Sequence, residues 1–237
     1  IPVYVYIPKF YSDVVGIDVA ILGIILFGVR IFDAFTDPLI GYLSDRTSTP
    51  YGRRRPYIAV GSFFVAATMY MLFNPPHGSE LFLTGWLTLS IYTLFLFWTV
   101  VTVPYESLGP EITFDYHTRT SLFGLRDGML IGGTLAAASS PALVQAILGL
   151  APGPATERAT YFWISLVYAP LLIVTCWWCA LAVKEMPSVR RVEQAGLFHG
   201  IQHLLANRPF LILLAAYTIS AIGNNLPATL ILYYVQY

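Results

Sequence analysis

Charge is what this sequence has least of. Lys, Arg, Asp and Glu make up 11% of its 237 residues, against about 25% in an ordinary soluble domain. A chain so poor in charge cannot dress a water-facing surface, and a soluble globular protein is excluded. The 13 basic and 13 acidic residues cancel, so no bulk field draws the chain to nucleic acid. Cysteine is scarce as well. Cys176 and Cys179 stand in "TCWWCALAV", and their C-x-x-C spacing is one used by redox and metal pairs. No second ligand pair accompanies them, and within an apolar helix they read as small apolar side chains. No disulfide framework follows. The histidines His77, His117, His199 and His203 fall in turns or in a linker, and nothing ties them to a metal. A glycine-rich phosphate loop, a nucleophile triad and a zinc spacing are all missing. The expectation is therefore neither an enzyme nor a nucleotide-driven pump, and no cofactor beyond a coupling ion.

What the chain has instead is apolar length. Hydrophobic residues make 57% of it and aromatic residues 15%, with 16 Tyr, and mean hydropathy is +0.66. Tyr suits helix ends in the headgroup region. A spanning helix takes about 20 mostly apolar residues. On that scale residues 1–12 are the end of a first helix, and helices follow at 18–43, 57–74, 81–105, 119–149, 160–183 and 209–235. The class is an all-α, multi-pass integral membrane protein of a cell (inner) membrane. The sequence begins at Ile1 within an apolar stretch and ends in "LILYYVQY", so it reads as a piece of a longer protein. Three parts are expected: a first bundle at 1–183, a cytoplasmic linker at 184–208, and the first helix of a second bundle at 209–237.

Basic residues set the orientation. Loops 44–56, 106–119 and 184–208 hold Arg46, Arg53, Arg54, Arg55, Arg119, Lys184, Arg190, Arg191 and Arg208, whereas the alternate turns hold only Arg158, with Lys9 nearby. Basic loops stay in the cytoplasm.

Ionisable residues at membrane depth are costly and mark function by default. The second helix carries Arg30, Asp33 and Asp37, spaced by three and four, hence on one face. Two acids one turn apart suit a hard cation or a proton. The alternative for Asp33 is an ion pair with Arg30 that locks packing. On the fifth helix, Arg126 offers a fork of donors that grips hydroxyls or a carboxylate; its alternative partners are Asp127 and the helix-two acids. Glu106 follows "VPY" at the inner end of the fourth helix. The loop "GYLSDRTSTPYGRRRP" has two readings, an anchor for anionic lipid and a latch in which Asp45 meets Arg53, Arg54 or Arg55.

The blocks "DAFTDPLIGYLSDRT", "GRRRPYI" and "VPYESLGPEIT", with "YSDVVG" ahead of them, resemble in content and order the glycoside–pentoside–hexuronide:cation symporters of the major facilitator superfamily. The resemblance covers essentially the whole chain. It implies twelve helices in two bundles, of which this chain holds the first six and helix seven, with inverted three-helix repeats and a solute site near the midplane. It further implies a monomeric symporter of a sugar or glycoside coupled to Na⁺ or H⁺, partnered by the bilayer and not by nucleic acid. By resemblance Asp33 and Asp37 fall at the cation site, and Arg126, Arg30 and Asn225 near the sugar. Two positions depart from the pattern. Thr102 stands where a well-known member has a cation-binding acid, and Glu106 where it has a sugar-stacking tryptophan. A solute of lipid-like or other non-sugar type, and a receptor or scaffold that keeps the fold without transporting, are the competing expectations.

Overall fold

Inside lipid a backbone must satisfy its own hydrogen bonds, which an apolar run does by coiling. The structure, a computed structural model, describes residues 2–149, 154–183, 185 and 206–236. It consists of α1 (Pro2–Lys9), which continues into a π-helical turn (Phe10–Val15), α2 (Val19–Arg46), α3 (Arg55–Phe73), α4 (Glu80–Ile112), α5 (Tyr116–Leu148), α6 (Pro154–Ala182) and α7 (Arg208–Gln236). Among the described residues, five helices within α2 to α6 are long and apolar enough to cross a membrane. The chain divides into two units, Ile1–Met186 and Pro187–Tyr237. The expected linker lies, apart from Glu185 and its last residues, outside the described residues. In the second unit α7 starts after Asn207, whose carbonyl accepts from Leu211 N at 3.1 Å. Asn225 belongs to this helix, and its side chain lies outside the described residues.

Helix starts follow local chemistry. Asp18 accepts from Ala20 N at 2.7 Å ahead of α2, and Asp115 accepts from Thr118 N at 2.7 Å ahead of α5, each satisfying a donor that the first turn leaves open. The fourth helix departs most from expectation. Rather than ending at 105 it continues to Ile112 through Pro104 and Pro110. The loop expected at 106–119 shrinks to residues 113–115. Proline frees carbonyls within a helix, and here neighbours compensate. Pro104 is buried, and Arg119 of α5 donates to the carbonyls of Pro110 at 2.9 Å and Thr113 at 3.0 Å.

In the first unit α3 packs most extensively, against α4 on one side and α6 on the other, and α2 packs on α4. The α3–α6 seam is aromatic. Phe73 stacks on Tyr161 at 5.4 Å between centroids, Phe63 meets Trp177 edge-on at 5.6 Å, and Trp177 donates to Ala59 O at 3.1 Å. The α3–α4 seam is closer, because Gly61 has no side chain. A β-carbon there would lie 2.7 Å from Val101 Cγ2 and 3.1 Å from Val100 Cγ1, and both valines are stiff at χ1. Gly61→Ala in the full-length protein will therefore lower its melting temperature in detergent, the loss corresponding to about 1–3 kcal/mol of overpacking.

Chain direction gathers the helix ends into two faces. One holds the 47–54 loop and the ends of α4 and α6. The other holds the π-helical turn, the end of α3 and the start of α6, tied by Tyr11 Oη donating to Leu72 O at 2.7 Å and by Asn74 Nδ2 donating to Ser165 Oγ at 3.1 Å.

Candidate functional site

The α2 charges meet α4. Arg30 and Asp33 form an ion pair, Nη1 to Oδ2 at 3.5 Å, with the Asp33 side chain 16% exposed and that of Arg30 54%. The Arg30 guanidinium also lies over the Phe95 ring, 5.5 Å from its centroid. This pairing is the alternative foreseen for Asp33, and it engages only one carboxylate oxygen. Asp33 Oδ1 is buried and has no hydrogen-bond partner among the described residues, an expensive state for a carboxylate unless a ligand completes it. One turn on, Asp37 accepts a hydrogen bond from Thr99 Oγ1 at 2.8 Å. Thr99 is 4% exposed, while Asp37 is exposed. The cluster thus offers two acids and a fixed neutral oxygen on one α2–α4 face.

Thr99 was not among the residues singled out from sequence. Its signal was there in "WTVVTVPY": Thr99 and Thr102 are three apart and share a face. The hydroxyl that reaches Asp37 is the earlier one, and Thr102 sits half-buried one turn further along.

A second feature opens about two turns, roughly 10 Å, beyond Thr99 along α4. Glu106 and Arg126 line one cavity of about 180 Å³ between the inner parts of α4, α5 and α6, with Tyr105, Leu122, Phe123 and Cys179 among its walls. Arg126 bonds to Asp127 Oδ1 through Nε at 3.0 Å and through Nη2 at 2.9 Å, and its guanidinium lies over the Phe123 ring, 4.8 Å from the centroid. Its partner is therefore Asp127 rather than a helix-two acid.

The third feature is the basic loop. Arg54, buried among its neighbours, donates through Nη2 to Asp45 Oδ1 at 2.8 Å, the contact expected of a latch, and the same nitrogen lies 3.0 Å from Glu111 Oε1. Arg53 Nη2 reaches Glu111 Oε1 at 2.7 Å. Arg55 donates to the carbonyls of Ala180 and Leu181. Beneath them lies Glu185, which the sequence did not single out. It accepts from the backbone N–H of Arg53 at 2.7 Å, of Arg54 at 2.8 Å and of Arg55 at 2.9 Å. A carboxylate there satisfies open donors at the start of α3 and complements its dipole. Burial pushes the Glu185 carboxyl up, but the three N–H donors and the Arg53 charge outweigh it and hold it below the usual range.

The comparisons with known proteins agree with one another. The family described as MFS/sugar transport protein matches residues 1–237. An uncharacterized symporter of Synechocystis sp. is 34% identical over 199 residues, which cover 78% of this chain and 36% of that protein. An isoprimeverose transporter of Lactiplantibacillus pentosus is 26% identical over 98% of this chain and 48% of its own length. A glucuronide carrier protein homolog of Escherichia coli is 28% identical over 98% of this chain and 50% of its own. The chain spans about half the length, or less, of these relatives.

Proposed function

This chain belongs to the MFS/sugar transport family, among the glycoside–pentoside–hexuronide:cation symporters, and from that membership we propose that it supplies the first bundle and the next helix of a symporter that couples a sugar or glycoside to Na⁺ or H⁺. It is a multi-pass integral membrane protein. Its relatives are named as symporter, transporter and carrier, and we read this protein likewise as moving its solute unaltered, as a monomer.

The observation that carries the proposal is the α2–α4 cluster. Asp33 presents a buried carboxylate oxygen that has no partner among the described residues, one helical turn from Asp37, whose own oxygen is oriented by Thr99. A cation arriving there meets two carboxylates and completes an otherwise uncompensated oxygen; a proton arriving there neutralises one of two like charges. Arg30 keeps the local charge from being wholly negative, which limits affinity and lets the ion leave. Solute binds along α4 near Arg126 and Glu106. The ion and the solute each raise the other's affinity, as coupling requires, and the two bundles then rock about the shared site. The Asp45–Arg54–Glu111–Glu185 latch, at the cytoplasmic face by the positive-inside rule, holds the inner ends of α2, α3, α4 and α6 as one body during that motion.

The test is uptake of labelled neutral glycosides and of a glucuronide by vesicles holding the full-length protein, with Na⁺ and pH gradients imposed separately. Gradient-driven accumulation of at least one of them is expected. No accumulation under either gradient would contradict the proposal. Thr99 gives a finer prediction. Thr99→Val removes the donor to Asp37 and raises the cation concentration for half-maximal uptake about tenfold, the size of one hydrogen bond to a charged group, whereas Thr99→Ser keeps it near the starting value.

A further inference from the structure

The cavity between α4, α5 and α6 places opposite charges against the same space, and their balance bears on what the solute is. Arg126 is the cation on its wall, and Glu106 is an acid on that wall. Arg126 already spends two of its donors on one oxygen of Asp127, at 3.0 and 2.9 Å. Its flat face is turned to Phe123. A planar fork is the usual means of gripping a solute carboxylate or sulfonate, and here an acid next to it in the chain occupies that fork. Counting Glu106, Arg126 and Asp127, the groups sum to one negative charge. Phe123, Leu122 and Tyr105 supply apolar and aromatic wall, which suits the C–H face of an uncharged ring.

We propose that Glu106, together with the Asp127-bound Arg126, selects for uncharged glycosides and against anionic sugars such as hexuronides. This rests on the sugar-symport reading and sharpens it to a solute class. An anionic sugar would have to displace Asp127 from Arg126 and tolerate Glu106 in the same cavity. A neutral glycoside accepts from the remaining Arg126 donors and donates its hydroxyls to Glu106, losing nothing.

The experiment compares initial uptake of a phenyl glucoside and of the matching phenyl glucuronide by vesicles holding the full-length protein, under whichever ion gradient drives accumulation. The starting protein is expected to favour the glucoside. In Glu106→Gln the glucoside-to-glucuronide ratio falls about tenfold, as expected for one unit charge across a partly wet cavity. Asp127→Asn, which releases the Arg126 fork by a separate route, moves the ratio in the same direction. Because uptake rates are compared as a ratio, a variant that merely inserts poorly loses both solutes equally and leaves the ratio where it was. A starting protein that takes the glucuronide as well as the glucoside overturns the proposal, and so does a ratio that stays fixed in both variants. If neither sugar accumulates under either gradient, it is the sugar-symport reading that fails, and the selectivity falls with it.

Discussion

In the full-length protein, Asp37→Asn will remove the part of uptake that a cation gradient drives, at least about tenfold, while leaving the protein folded. The magnitude is that of one hydrogen-bonded or ion-paired charge taken from a site of low dielectric. Asparagine keeps the shape and an oxygen that Thr99 can still donate to, so the α2–α4 contact at 2.8 Å has a substitute. It carries no charge for Na⁺ and accepts no proton at neutral pH, so both forms of coupling are lost together. Exchange of solute down its own gradient needs no net cation movement and will persist. Melting temperature in detergent will stay close to that of the starting protein, since Asp37 is exposed and outside the core. Unchanged cation dependence in this variant would remove Asp37 from the coupling site.

The second large effect is expected at the latch. Glu185→Ala withdraws a carboxylate from three backbone donors, at 2.7, 2.8 and 2.9 Å, and leaves the start of α3 uncompensated. A loss of about 2 kcal/mol is expected, toward the lower end for charged hydrogen bonds because Glu185 is only half-buried. Gly52→Ala reaches the same contact from the other side. Gly52 has φ +117°, and a β-carbon there would lie 2.8 Å from Glu185 Oε1, so the variant combines backbone strain with displacement of the carboxylate, about 1–3 kcal/mol. Because both changes act on one contact, the double variant will lose less stability than the sum of the singles. The pH dependence has a definite sign. Glu185 is held below the usual glutamate range, so its contribution is complete above the ordinary glutamate value and fades as pH falls through the depressed one. Glu185→Gln will thus lose stability by a constant amount between about pH 5 and 8, and the gap to the starting protein will narrow only in stronger acid.

What could be read from the sequence was what repeats at short range. Apolar runs of spanning length gave the helices, the alternation of basic loops gave their direction, and the offsets of three and four put Arg30, Asp33 and Asp37 on one face. The Asp45–Arg54 contact was also within reach, since both residues sit in one loop. The rest depends on partners far apart in the chain. The fourth helix outruns its prolines because Pro104 is buried and Arg119 collects carbonyls at its end. Local rules see the proline and not the neighbour. Glu185 is over 100 positions from the arginines it serves, and nothing in its own surroundings in the sequence marks it. Thr99 and Thr102 were equivalent by spacing, and only the packing of α4 against α2 distinguishes them. For Arg126 both Asp127 and the helix-two acids were open as partners, and the fold brings it to Asp127.

The central claim is that solute and cation are bound to one another's advantage, and the most direct measurement is of the cation itself. Vesicles holding the full-length protein are given an unlabelled neutral glycoside that they accumulate, with no ion gradient imposed, while interior pH and Na⁺ entry are followed separately. The account predicts that the glycoside draws in one of the two ions, by the reciprocity that coupling demands, and that Asp37→Asn abolishes that movement. Glycoside entry with neither proton nor Na⁺ movement would contradict it.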